Sequence, residues 1–264
     1  MNLRPFVLAI ALLPAFASGA DDLRMLVLDP LAAKNACACV AGYAQRDYDA
    51  LAGYLGEALQ MPVCPKFGGV LAAVEGASII VGKQTEIEFA AKKNGLALTR
   101  IAVLTDLKGG NTLHGLFAVR SKDAAKTIAD LKGKKILFGT EDSVEKHGAA
   151  IDALKQAGIA IPGKIETRDT CNQSAADVAE RRADVAVVSS YALPLVEGCG
   201  TIGKGELKVI GRTADVPFIA VYVNDQFPAA LRPALEKALE NVAQDKHLCA
   251  KMESAKGFLL VKKK

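Results

Sequence analysis

Two rhythms of apolar and polar positions alternate along this chain. Short continuous apolar runs at 24–29, 61–64, 78–82, 98–104, 116–119, 134–138, 165–168, 184–188, 207–210 and 218–223 predict buried strands. Between them, apolar residues recur every three or four positions, as in Tyr48, Leu51, Leu55 and Leu59, and predict helices over 48–59, 84–93, 144–157, 175–182 and 228–243. A shorter helix is expected at 70–74, and another ends at the Asp130-Leu-Lys-Gly133 turn. Pro228 suits the first turn of the last helix, where its missing N–H costs nothing. Strand and helix alternating in this way predict an α/β fold of mostly parallel sheets flanked by helices.

The first twenty residues read differently. Arg4 supplies a positive charge, 6–17 is apolar apart from Pro14, and Ser18-Gly19-Ala20 offers small residues ahead of Asp21. This order predicts a secretory signal peptide over 1–20, cleaved near Ala20, and hence export. No later apolar run is long enough for a membrane span. The 244 residues that remain of 264 suffice for one large domain or two lobes. A formal net charge of +4, with acids and bases interspersed, gives no basis for nucleic-acid binding. The absence of Trp argues against an aromatic-lined sugar groove.

Six cysteines, Cys37, Cys39, Cys64, Cys171, Cys199 and Cys249, stand out in a chain of this kind. Export makes disulfides the default expectation, although the sequence does not choose their pairing. The alternative is a soft-metal or redox site built from Cys37, Cys39, Cys171 and His147. Catalytic readings find little. The three histidines are scattered, no Gly-x-Ser-x-Gly elbow is present, and no nucleotide-type phosphate loop occurs. No enzyme activity and no cofactor are expected.

Several segments carry a family resemblance. Residues 46–55 (RDYDALAGYL) followed by Met61-Pro-Val, the strand opening Ala183-Asp-Val-Ala, and residues 207–218 (LKVIGRTADVPF) occur in the order found in the phosphate/phosphite/phosphonate branch of type II periplasmic solute-binding proteins. The run from Thr112 to Ala157 is similar to the second lobe of such proteins. The resemblance implies a two-lobed periplasmic-binding-protein type II fold, with lobe I at 21–110 and 214–264 and lobe II at 111–213. Two crossing segments, near 105–117 and 200–213, would form a hinge. It further implies a monomer that captures a small, oxyanionic, phosphate- or phosphonate-like solute and delivers it to an ABC permease of the inner membrane.

In that frame the ligand groups are expected at strand ends and helix starts facing the cleft. Asp29 ends the first strand. Lys83, Gln84 and Thr85 join the third strand to a helix, with Lys83 as counter-charge or as a solvated surface lysine. Thr140, Asp142 and Ser143 form a polar turn expected at a helix N-terminus, where free N–H groups suit an anion. The same turn also reads as ordinary helix capping, and Glu141 and Asp142 within it would repel a dianion. Ser189 and Tyr191 end a buried strand in the second lobe. Arg168 and Asp169 end another and are expected to pair with each other or to face the cleft.

Overall fold

A computed structural model describes residues 22–36, 45–68, 77–161 and 163–261. The signal peptide expected at 1–20, Cys37, Cys39 and the helix expected at 70–74 lie outside the described residues.

The chain forms two sheets joined by a pair of short crossing strands. The first sheet has the strand order β13-β4-β12-β3-β1-β2. It contains β1 (Leu23–Leu28), β2 (Val63–Phe67), β3 (Ala77–Lys83), β4 (Leu98–Leu104), β12 (Ile219–Asn224) and β13 (Phe258–Leu260). The second has the order β10-β6-β9-β7-β8. It contains β6 (Gly115–Arg120), β7 (Ile136–Phe138), β8 (Glu166–Thr167), β9 (Val185–Ser189) and β10 (Leu207–Arg212). Between the sheets, β5 (Thr112–Leu113) pairs antiparallel with β11 (Val216–Pro217).

Strand direction follows from this route. β1, β2 and β3 run parallel, as do β7, β8 and β9, so their C-terminal ends face the gap between the lobes. β6 and β12 enter from the crossings and therefore run antiparallel to their neighbours. The return crossing lies between β10 and β12, later than the expected 200–213, because 207–212 pairs with β6 as an edge strand of the second sheet.

Central strands β3 and β9 are buried at every position, as strands covered on both faces must be. On one face of the first sheet lie α1 (Tyr48–Leu59), α6 (Arg232–Asn241) and α7 (Lys246–Lys251), over a core that includes Leu51, Leu55, Leu235 and Leu239. On the other lies α2 (Gln84–Asn94), through Ile87 and Ala91. The second sheet is covered by α3 (Gly148–Gln156) on one face and by α4 (Cys171–Ala179) and α5 (Ala192–Gly198) on the other. Among the described residues no helix is long and apolar enough to cross a membrane.

Candidate functional site between the lobes

The loop from β7 to α3 is built differently from the expected helix start. The first helical residue is Gly148, so residues 140–147 form a series of turns instead of a helix N-terminus. Ser143 N bonds Thr140 O, Lys146 N bonds Ser143 O, and Gly139 N bonds Lys146 O. Two glycines permit this course. A Cβ on Gly139 would lie 2.6 Å from Lys146 Cβ, and one on Gly115 would collide with the Glu145 carbonyl oxygen. The loop is thus pressed onto β6 and β7, and the side chains of Ser143, Glu145 and Lys146 turn inward.

Those side chains meet the first lobe. Lys83, at the end of β3, places its Nζ 2.8 Å from Glu145 Oε1 and 2.5 Å from Glu86 Oε1. Ser143 Oγ donates to Glu86 Oε1 at 2.7 Å, and Ser189 Oγ donates to Glu145 Oε1 at 2.6 Å. Glu145 is fully enclosed and Lys83 nearly so. Burial disfavours the Lys83 ammonium, yet the Glu145 and Glu86 carboxylates outweigh it and raise the pKa. Burial likewise pushes Glu145 up, but the Lys83 ammonium and two hydrogen bonds hold it below the ordinary glutamate value. Tyr191 is raised, chiefly by burial, and stays a neutral phenol.

Beside this network lies a cavity of about 410 Å3, within the size range of small-molecule sites. The first lobe contributes Leu28, Pro30, Asn35, Lys83 and Glu86; the second contributes Lys146, Asp169, Thr170, Cys171, Asn172 and Tyr191. Thr170 caps α4 by accepting from Gln173 N, and the start of α4, with Thr170, Cys171 and Asn172, lines this space. Lys146 is 6% exposed; among the described residues its ammonium makes no hydrogen bond or ion pair, and its charge helps hold Glu145 below the ordinary glutamate value.

The expected ligand residues are therefore distributed unevenly. Lys83 and Tyr191 line the cavity, whereas Ser143 and Ser189 are spent in the network beside it. Thr140 and Asp142 bond each other and, with Phe89 and His147, line a separate outer groove. Gln84 Oε1 and Thr85 Oγ1 are enclosed without a partner among the described residues. Asp29 serves the first lobe: Oδ1 accepts from Leu31 N, and Oδ2 accepts from Arg46 Nη1 at 2.8 Å and Tyr48 OH at 2.7 Å. Arg168 pairs with Asp177 and not with Asp169.

Cys64, Cys171 and Cys249 are free thiols, so no disulfide from Cys171 crosses the cleft. Cys171 Sγ accepts from Ser189 N in the cavity wall, while His147 Nδ1 faces Gly139 O beside the outer groove. Among the described residues no group of three or more His, Cys, Asp or Glu side chains could hold a metal ion.

Glu86, Glu145, Lys146, Thr170 and Asn172 belong to the cavity or the network beside it and were not among the expected ligand residues, whereas Asp169 faces the cavity as one of its expected alternatives. Expecting the helix to start near 144 had placed Glu145 and Lys146 within it. The available signal was the pair Gly139 and Gly148, which brackets a polar stretch as a loop.

Two α/β lobes joined by crossing strands, with strand ends facing a cavity between them, define a two-lobed solute-binding protein. A sequence model described as "ABC transporter, phosphonate, periplasmic substrate-binding protein" matches residues 43–264, and the chain belongs to that family. Comparison with curated proteins yields no match. Among solved structures, the chain is similar to PhnD1 from Prochlorococcus marinus in complex with methylphosphonate, with 15% identity, a TM-score of 0.68, and 92% of this chain and 94% of that one covered. It is equally similar to a binding protein component of an ABC phosphonate transporter from Pseudomonas aeruginosa, with 12% identity, a TM-score of 0.68, and coverages of 92% and 82%. A third structure, XAC2383 from Xanthomonas citri bound to ATP, aligns at 15% identity and a TM-score of 0.68 over 91% of both chains.

Proposed function

We propose that this chain is an exported receptor that captures a small phosphate- or phosphonate-like oxyanion between its lobes and presents it to an ABC permease. The observation that carries this reading is Lys146, which lines a cavity that both lobes build and whose ammonium makes no hydrogen bond or ion pair among the described residues. A cation on the cavity wall with its donors free suits an anionic guest. The start of α4, with Thr170, Cys171 and Asn172, lies on the same wall, and a helix N-terminus favours an anion. Family membership and the methylphosphonate complex of the Prochlorococcus relative support the same ligand class.

In this reading lobe I comprises 21–110 and 214–264, lobe II comprises 111–213, and β5 and β11 form the hinge. Residues 1–20 are removed on export to the periplasm, and the mature chain acts as a monomer that binds its solute without catalysis. Lys146, Lys83, Thr170 and Asn172 contact the solute, and Tyr191 walls the cavity. Calorimetric titration with methylphosphonate, phosphate and phosphite, paired with solution scattering, tests the reading. Saturable one-to-one binding that alters the interlobe geometry is expected. No heat and no change of shape with any of the three would contradict it.

A further inference from the structure

Gly139 follows β7, and its lack of a side chain answers to one neighbour. Its φ is not in the left-handed region, so the backbone there does not demand glycine. What a side chain would meet is Lys146. A Cβ at 139 would lie 2.6 Å from Lys146 Cβ, 2.7 Å from Cε and 3.1 Å from Cδ. Non-bonded carbons sit about 3.5–4.0 Å apart, so the lysine stem occupies the space that a side chain at 139 would take. The root of Lys146 is fixed on every side. Gly139 N donates to Lys146 O, Lys146 N donates to Ser143 O, and His147 Nδ1 lies 2.8 Å from Gly139 O. One residue earlier, the Glu145 carbonyl oxygen is pressed against Gly115, and the Glu145 carboxylate is held by Lys83 and Ser189.

Resting on the reading that Lys146 contacts the solute, we propose that Gly139 is a positioning residue for binding: by carrying no side chain it lays the Lys146 stem along the end of β7 and delivers the ammonium to the interlobe cavity. Gly139 is buried and is not itself on the cavity wall, whereas Lys146 is. It therefore acts on the solute only through the lysine. A methyl group at 139 forces the contact apart by close to an ångström at three carbons of the stem. With the backbone at 145–147 held by the bonds above, the flexible stem gives way, and the ammonium leaves the wall.

The test is a double-variant cycle on the full mature chain. Methylphosphonate, phosphate and phosphite are each titrated calorimetrically into wild type, Gly139→Ala, Lys146→Gln and the pair. Each single variant is expected to bind about tenfold more weakly. The pair is expected to be no weaker than Lys146→Gln alone, because the methyl acts through an ammonium that is no longer there. Losses that multiply in the pair, as a merely structural role for Gly139 requires, overturn the inference and leave the oxyanion reading standing. Wild-type affinity in either single variant does the same. Should Gly139→Ala not fold, Gly139→Ala/Lys146→Gly, which removes the whole stem, is expected to fold and so to identify the stem as what the glycine makes room for. A double variant that also fails to fold overturns the inference. Silence of the wild type toward all three solutes overturns the oxyanion reading, and this inference with it.

Discussion

Lys83 and Glu145 come from opposite lobes, and their side chains meet at 2.8 Å with exposures of 2% and 0%. A contact of this kind couples lobe geometry to a buried ion pair. Removing one partner strands the other charge in the interior. Lys83→Met is therefore expected to cost about 3–5 kcal/mol in chemical denaturation. The double variant Lys83→Met/Glu145→Leu should recover most of that loss, because the carboxylate it leaves behind, Glu86, is 35% exposed and keeps its access to water. A double variant as unstable as the single one would show that the pair acts through packing alone.

The same pair sets a pH window. Glu145 sits below its ordinary value of 4.5, so its contribution is present above that value and is lost as pH falls through the lower folded pKa. Lys83 sits above its ordinary value of 10.5, so its contribution is full below 10.5 and is lost as pH rises through the higher folded pKa. Stability measured against pH should therefore be flat between these limits as far as this pair is concerned. Glu145→Gln should flatten the acid limb.

Asp29 gives a contrasting expectation. Its carboxylate holds Arg46, Tyr48 and the Leu31 N–H within the first lobe and does not line the interlobe cavity. Burial works against the Arg46 charge, yet Asp29 and its neighbours raise the pKa. Asp29→Asn should lower stability by about 3 kcal/mol by leaving Arg46 unmatched. Oxyanion affinity, measured on the folded fraction, should be unchanged.

Cys171 supplies a footprint of occupancy. Its thiol lines the cavity, whereas Cys64 is exposed on β2, far in sequence from every cavity residue of the second lobe. Alkylation followed by mass spectrometry should show Cys171 slowed by saturating methylphosphonate and Cys64 unaffected. Equal rates at Cys171 with and without the solute would place the guest elsewhere.

The fold was legible because its signals are local and repeated. The runs at β3 and β9 are apolar but for Ser78, Lys83 and Ser189 and are wholly buried, and the period of α1 places Leu51, Leu55 and Leu59 inward. The site was legible only where a side chain faces the cavity from a strand end or the turn after it, as Lys83 and Tyr191 do. Hydroxyls were harder to read. Ser143 and Ser189 stand beside the cavity as expected, but carboxylates distant in sequence, Glu86 and Glu145, take their hydrogen bonds. Asp29 was misread for the same reason, since Arg46 and Tyr48 lie 17 and 19 residues away. Lys146 was missed because its role depends on what it does not touch, which spacing along a chain does not encode.

Lys146 is also where the account is most exposed to test. Calorimetric titration of wild-type protein and Lys146→Gln with methylphosphonate at mildly acidic pH, alongside their denaturation curves, addresses it directly. The account predicts one-to-one binding by the wild type and an affinity at least about tenfold weaker in the variant, from loss of a charge-assisted hydrogen bond. Stability should change little, since Lys146 makes no hydrogen bond or ion pair among the described residues. Equal affinity in the two proteins would contradict the central claim that this ammonium holds the solute between the lobes.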